Sequence, residues 1–290
     1  MVDGLGAQGF SARRACRTIA LNRSTYIKHR RCELSIRAIR RSIVADYVVM
    51  IHSQSGGTYG WRRIRAELLD EYEMIVNRKL FKAVMREQRI AGVPRIKVFR
   101  NPLADKRVDA DLVSRVFTTD GPNRLWLTDG TEHPTREGKV YSCVVLDCFA
   151  RTAVGRSFST INDTALVSRA VSQAHHTRER DGETVMHSDH GTNFTSWGFS
   201  ENLRQWELTA SLGSVGDCFD NAAMETFWGR MQTELLDRKR TWQTVIELVT
   251  AMNGWLDFYN GKRRHSYTGY MSPDAYEVLW NDINNPLLFT

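Results

Sequence analysis

The chain is poor in the features that mark secreted, zinc-stapled or membrane-spanning proteins. Its five cysteines (Cys16, Cys32, Cys143, Cys148 and Cys218) are an odd number with no Cys-x-x-Cys pair. This argues against a disulfide framework and against structural zinc, and for a reducing compartment in which the thiols serve as small buried apolar groups. No stretch approaches the ~20 uncharged apolar residues of a membrane helix, so no membrane partner is expected. The opening MVDGLGAQGFSARRACRT lacks the unbroken apolar centre of a signal peptide, which makes a cytoplasmic location the expectation. There are no convincing repeats and no low-complexity tract.

What is present is ordinary globular material with an uneven charge. The 290 residues are 42% hydrophobic and 25% charged, enough for one large domain or two smaller ones. The net charge of +7 conceals a division: residues 1–110 hold 23 Lys/Arg and 10 Asp/Glu, residues 111–290 hold 17 and 23. The first part is thus strongly basic, and rich in arginine, which suits phosphate contacts. The second is acidic. A basic part that holds a polyanion and an acidic part with another task is the reading this asymmetry favours.

The periodicity changes along the chain in the same way. FSARRACRTIALNRSTYIKHRR (10–31) breaks into two short helical stretches around Leu21-Asn22, with Ser24 as the expected cap of a basic second helix. That is helix-turn-helix patterning, and it makes Arg13, Arg14, Arg23 and Lys28 candidate DNA contacts. A longer helix over 34–52 is expected to bury Leu34, Ile36, Ile39, Ile43 and Tyr47. After SQSGGTYG comes a second helical pair. Trp61, Ile64 and Leu68 are at helical spacing in its first member. Asn77 caps the second, with Leu80, Val84 and Met85 inward. Its basic face adds Arg62, Arg63, Arg78 and Lys79 to the candidate phosphate contacts. Residues 101–120 read as a linker. From Arg124 the runs become short and β-branched. LWLTDGTEH, VYSCVVLDC and TAVGRSFS form a three-strand meander, and the remaining pattern gives the order β-β-β-α-β-α-β-α-α. This is a mixed α/β layer fold over 121–280, preceded by all-α segments over 1–52 and 53–100.

Three carboxylates stand out in the acidic part. Asp129 in WLTDG shares a strand face with Leu125 and Leu127, which sets an ionisable group among buried neighbours. Asp189 ends a strand in MHSDHGTNF, just before a glycine turn, where sites in α/β sheets are usually built. Glu225 lies at the margin of an apolar helix stripe of Met224, Phe227, Trp228, Met231 and Leu235. Each also has a bland reading: a turn former before Gly130, an Asx turn, and a charge favouring the helix N-terminus. If the three converge, they repel one another unless a cation intervenes. Oxygen ligands without Cys or His select Mg²⁺ or Mn²⁺, and two such ions can activate an attacking oxygen and stabilise a leaving one at a phosphodiester. Asn193 and Asn221 lie beside the acids as candidate orienting groups, and Lys262, Arg263 and Arg264 form a further basic cluster. Asp147 reads as structural and Asp220 as a helix cap. The trio alone is also compatible with a plain nuclease or a non-catalytic DNA-binding protein.

With these residues in view, the chain resembles the OrfB-type transposases of the insertion-sequence-three family, relatives of retroviral integrases. The resemblance is carried by LWLTDGTEHPTREGKVYSCVVLDCFARTAVG, HSDHGTNFTS, GDCFDNAAMETFWGRMQTEL and FYNGKRRHSYTGYMSPDAY. SARRACRTIALNRSTY and GGTYGWRRIRAELL…VNRKLFKAVMREQRI carry it in the front half, so that it spans roughly 10–278. In that family an Asp-Asp-Glu triad binds the metals with 35 residues between the second Asp and the Glu, the interval that separates Asp189 from Glu225 here. The resemblance implies a five-stranded RNase H-like integrase core. It further implies Mg²⁺-dependent cleavage and strand transfer at the inverted-repeat ends of a bacterial insertion sequence, without a covalent protein–DNA intermediate. Implied partners are the terminal repeats and target DNA, further copies of the chain on DNA, and the upstream-frame product fused by frameshifting. Implied location is cytoplasmic, at the nucleoid when on DNA. The chain departs from the pattern at Gly130, at His190, and at Gln232, where a basic residue is usual. The His/Cys zinc module of retroviral integrases is absent.

Overall fold

The computed structural model describes residues 1–31, 34–94, 118–189, 191–212, 222–239 and 241–284, in two compact units, Met1–Gly92 and Val93–Thr290. Cys32, His190, Cys218, Asp220 and Asn221 lie outside the described residues.

The first unit is helical: α1 (Val2–Ala7), α2 (Ala12–Thr18), α3 (Arg23–Arg30), α4 (Ile36–Gln54), α5 (Trp61–Tyr72) and α6 (Arg78–Glu87). Helices α1 to α3 pack around Val2, Ala15 and Cys16, with Ile19 and Tyr26 against them. The cap of α3 is Asn22, whose Oδ1 accepts from the Ser24 N–H at 2.9 Å, and not Ser24 itself. Asn77 caps α6 as expected. Helix α4 corrects the expected face. Val44, Val48 and Ile51 are buried, whereas Leu34, Ile36, Ile39 and Ile43 are exposed. Its inner face is set by the α5 and α6 that it packs against, so α4 belongs with the second helical pair and not with the first. Phe81, overlooked in the sequence, is fully buried in α6 beside Val84.

The second unit is built on β1 (Leu125–Thr135), β2 (Gly138–Asp147), β3 (Ala153–Ser159), β4 (Thr184–Ser188) and β5 (Leu208–Leu212), in the order β3-β2-β1-β4-β5. β1–β2 and β2–β3 are antiparallel, while β1–β4 and β4–β5 are parallel. Helices cover both faces. On one, α7 (Thr164–Thr177) and α8 (Trp197–Gln205) bury Leu166, Val171, Phe199 and Leu203 against Trp126 and Val145. On the other, α9 (Ala222–Glu234) and α10 (Val245–Gly261) bury Met224, Phe227, Met231, Leu248 and Met252 against Leu125, Leu127 and Val144. Asp163 caps α7 by accepting from Leu166 N–H at 2.9 Å. The close approach of α7 to β3 needs Gly155, where a Cβ would come within 2.1 Å of the Ala170 carbonyl oxygen. A further helix, α11 (Pro273–Asn284), follows the predicted elements. Among the described residues no helix is long and apolar enough to cross a membrane.

Two features of this sheet position the site. β4 is only five residues long, whereas β1 continues to Thr135, paired on one side by β2. That free edge tolerates Pro134, which has no N–H to offer. It also leaves an opening beyond the end of β4.

Candidate active site

Adjacent strands bring two of the three acids together. β1 and β4 run parallel with Leu127 opposite His187; from there β1 carries on to Asp129, and the chain leaves β4 at Ser188 and reaches Asp189. A cleft of about 240 Å³ opens there, lined by both acids together with Thr131, Ser142, Asn162, Thr192 and Asn193.

The bland readings of both acids are realised without consuming them. Asp129 Oδ1 accepts from Gly130 N–H at 2.8 Å, and Asp189 Oδ1 from Gly191 N–H at 2.9 Å, an Asx turn. Each carboxylate is thereby held in one orientation with Oδ2 outside the turn bond. Burial pushes the Asp129 carboxyl up to about 7, and the charge of Asp189 pushes in the same direction. The Gly130 N–H and the Trp228 indole oppose this, and Glu225 adds a smaller upward push. The Trp228 N–H is buried without a full hydrogen bond, yet lies close enough to Asp129 to be felt. A carboxyl held up by burial and by a neighbouring carboxylate charge in a partly buried cleft is the arrangement that a bound cation would relieve.

Glu225 is in the first turn of α9 and is exposed; it does not line the cleft. Its electrostatic effect on Asp129 is the weakest of those acting there. Among the described residues no three His, Cys, Asp or Glu side chains stand close enough to hold one ion. The donors do fit a hard divalent cation: two oriented carboxylates with a third nearby, and no thiolate in the set.

The remaining candidates separate into three groups. Asn193 lines the cleft, its amide nitrogen donating to Asn162 Oδ1 at 2.8 Å, while Asn221 lies outside the described residues. In the first unit Arg13, Arg14, Arg23, Lys28, Arg62, Arg78 and Lys79 are exposed, with Arg63 half-buried. Arg62 and Arg78 lie over the Trp61 ring, Arg63 over Tyr59. The third group is a correction. Lys262 is exposed, but Arg263 and Arg264 are buried and are not available to phosphate. Arg263 makes a two-pronged pair with Glu234 of α9 at 2.7 and 2.6 Å, and Arg264 donates to the Tyr270 carbonyl. The signal missed was Glu234 itself. It lies seven residues after Phe227, hence on the buried stripe, and a buried carboxylate there requires a buried cation. Gln232 donates to Asp237. Asp147 is structural, fully buried and accepting from the Asn123 and Phe149 N–H groups.

The site belongs to the integrase-core class. The family model described as "Integrase core domain" matches residues 119–218, a second of the same description matches 207–273, and an "HTH-like domain" matches 36–98. The transposase for insertion sequence element IS629 of Shigella sonnei is 32% identical over 277 residues, 93% of each chain. A Mycobacterium tuberculosis protein of insertion sequence element IS986/IS6110 is 32% identical over 264 residues, covering 89% of this chain and 95% of that one. Transposase InsF for insertion sequence IS3A of Escherichia coli is 29% identical, covering 92% and 94%. Among solved structures, the HTLV-2 integrase catalytic core domain in complex with magnesium is 20% identical, covering 54% of this chain and 97% of that one, with a TM-score of 0.40. The chain belongs to the insertion-sequence-three family of transposases, of the OrfB type.

Proposed function

We propose that the protein is a Mg²⁺- or Mn²⁺-dependent DNA transposase that cleaves and joins strands at the inverted-repeat ends of a bacterial insertion sequence. The observation that carries this reading is that Asp129 and Asp189 line one cleft, close enough that the charge of Asp189 acts on Asp129. Family membership and the 35-residue interval to Glu225 supply the rest.

The reaction is an in-line displacement at phosphorus. A water or a 3′-hydroxyl forms the new P–O bond as the bond to the leaving oxygen breaks. Asp129, Asp189 and Glu225 would hold the ions, and a pair of divalent cations held there would supply Lewis acidity toward both the attacking and the leaving oxygen. The Gly130 and Gly191 N–H groups keep the two aspartates oriented before substrate arrives, so little reorganisation accompanies the reaction. The Asp129 carboxyl, pushed up to about 7 by burial, would have to be deprotonated to serve as a ligand, so ion binding there would favour higher pH. Asn193, anchored by Asn162, orients the DNA backbone in the cleft. The basic helices of the first unit hold duplex DNA through its phosphates, and further copies of the chain assemble with it. The fused upstream-frame product is an additional proposed partner, and the nucleoid the proposed location.

The test is joining of end-sequence oligonucleotides by the wild type and Glu225→Gln. The neutral variant binds the DNA with unchanged affinity and joins none. A variant that still joins strands overturns the assignment of Glu225. Hydrolysis by the wild type without joined product makes the protein a nuclease.

A further inference from the structure

Beside the cleft stands an indole that the fold does not use. Trp197 is 83% exposed, the highest value for a large apolar side chain among the described residues of the second unit. Its exposure follows from the phase of α8. Phe199 and Leu203 are the buried residues of that helix, and Trp197 lies two residues before Phe199, ~200° around the axis and so on the opposite face. The helix is fixed in that phase. Ser196 caps it by accepting from Phe199 N–H, and its hydroxyl donates to the Asn193 carbonyl at 2.9 Å. The Thr164 hydroxyl reaches the same Ser196 oxygen at 3.2 Å, and Asn202 bonds Ser168 of α7 at 2.9 Å. Rotation that buries Trp197 would break all of these bonds.

The segment leading to Trp197 is the wall of the cleft: Thr192, Asn193 and Phe194 line it. Asn162 lines it from the other side, and next to it Ile161 is 64% exposed. The Asn162–Asn193 bond ties the two together. Next in sequence to the cleft's lining, three residues past Phe194 and one before Asn162, stand two exposed apolar side chains, Trp197 and Ile161. A DNA strand offers the matching pattern, charged phosphate beside planar apolar base, and its bases become free to stack on protein where the duplex opens at a reacting end.

We propose that Trp197 stacks on a nucleobase next to the reacting phosphate, with Ile161 as the other wall, and so sets which nucleotide sits in the cleft. This rests on the reading of the cleft as the site of DNA joining. Stacking on an aromatic side chain changes affinity by roughly five- to a hundredfold per base.

The test uses the full chain and a duplex of the element's end sequence with 2-aminopurine scanned through the nucleotides flanking the joined phosphate. Binding by the wild type, and by Trp197→Phe, quenches the emission at one position, and Trp197→Ala does not. An abasic nucleotide at that position weakens wild-type binding about tenfold and leaves Trp197→Ala binding unchanged from its already weakened level. Quenching that persists in Trp197→Ala overturns the proposal. So does a tenfold abasic penalty undiminished in that variant, or loss of self-association in Trp197→Ala with no responding base, which makes the indole a protein contact. These are binding measurements in the absence of joining, so they stand apart from the outcome with Glu225→Gln.

Discussion

Asp147 shows what a buried carboxylate costs when it is structural. Its two oxygens accept the Phe149 N–H at 2.8 Å and the Asn123 N–H at 2.6 Å, and Arg178 stands 3.8 Å away. Burial outweighs these and pushes its carboxyl up to about 6. The folded-state pKa is above the unfolded one, so this contribution to stability is fully present below about pH 4 and is lost as pH rises to about 6. A shift of about two units corresponds to about 3 kcal/mol. Asp147→Asn places an amide where one N–H needs an acceptor, so it lowers stability at pH 4.5 by about 1–3 kcal/mol. It also flattens the pH dependence between 4.5 and 6.5, because the titrating group is gone. Urea unfolding at the two pH values measures both effects. A variant with the wild-type pH dependence shows that Asp147 is not its source. Asp129 has its proton affinity raised in the same way, but its partner is another carboxylate and not an arginine. This difference separates a structural acid from one proposed to hold a cation.

At the scale of elements, α9 is the part on which the proposed site depends, because it carries Glu225. Its apolar stripe packs against β1 and α10, and the far end of the helix is fastened by the Glu234–Arg263 pair. Both side chains are 3% exposed, so removing one leaves the other charged and buried without its ion-pair partner. Arg263→Ala should therefore destabilise the protein by about 3–5 kcal/mol, and Arg263→Ala with Glu234→Leu by less than the single change. Equilibrium unfolding decides, and a loss below about 1 kcal/mol contradicts the buried pair. The elements of the second unit were legible because alternation and helical period are strong where one face is buried. The five strands follow from the short β-branched runs after Arg124, and the stripe of α9 from AMETFWGRM. The side of α4 was not legible. Apolar residues ring that helix, and only the contacts with α5 and α6 select Val44, Val48 and Ile51 over Ile36, Ile39 and Ile43. Arg263 and Arg264 were misplaced for a similar reason. GKRRH reads as a solvated basic loop until Glu234 is seen on the buried stripe. The meeting of Asp129 and Asp189 in one cleft depends on which strands pair, which local sequence does not reveal, although the family resemblance pointed to the same two residues.

At the scale of the whole molecule, the proposed function assigns DNA binding to the basic first part and chemistry to the acidic second. If Arg78 and Lys79 of α6 each neutralise one phosphate, replacing both by Ala weakens binding alike on all duplex sequences. It also lowers the slope of log K against log salt by about two. Titrations between about 50 and 200 mM salt test this, and an unchanged slope removes the pair from the interface.

The central claim is that Asp129, Asp189 and Glu225 hold the metal that joins DNA. It is tested most directly by a crystal of the full chain bound to end-sequence DNA and soaked with Mn²⁺. The account predicts anomalous peaks between Asp129 and Asp189, with Glu225 as a further ligand and the reacting phosphate in contact. Manganese bound elsewhere, with the three carboxylates free of it, would contradict it.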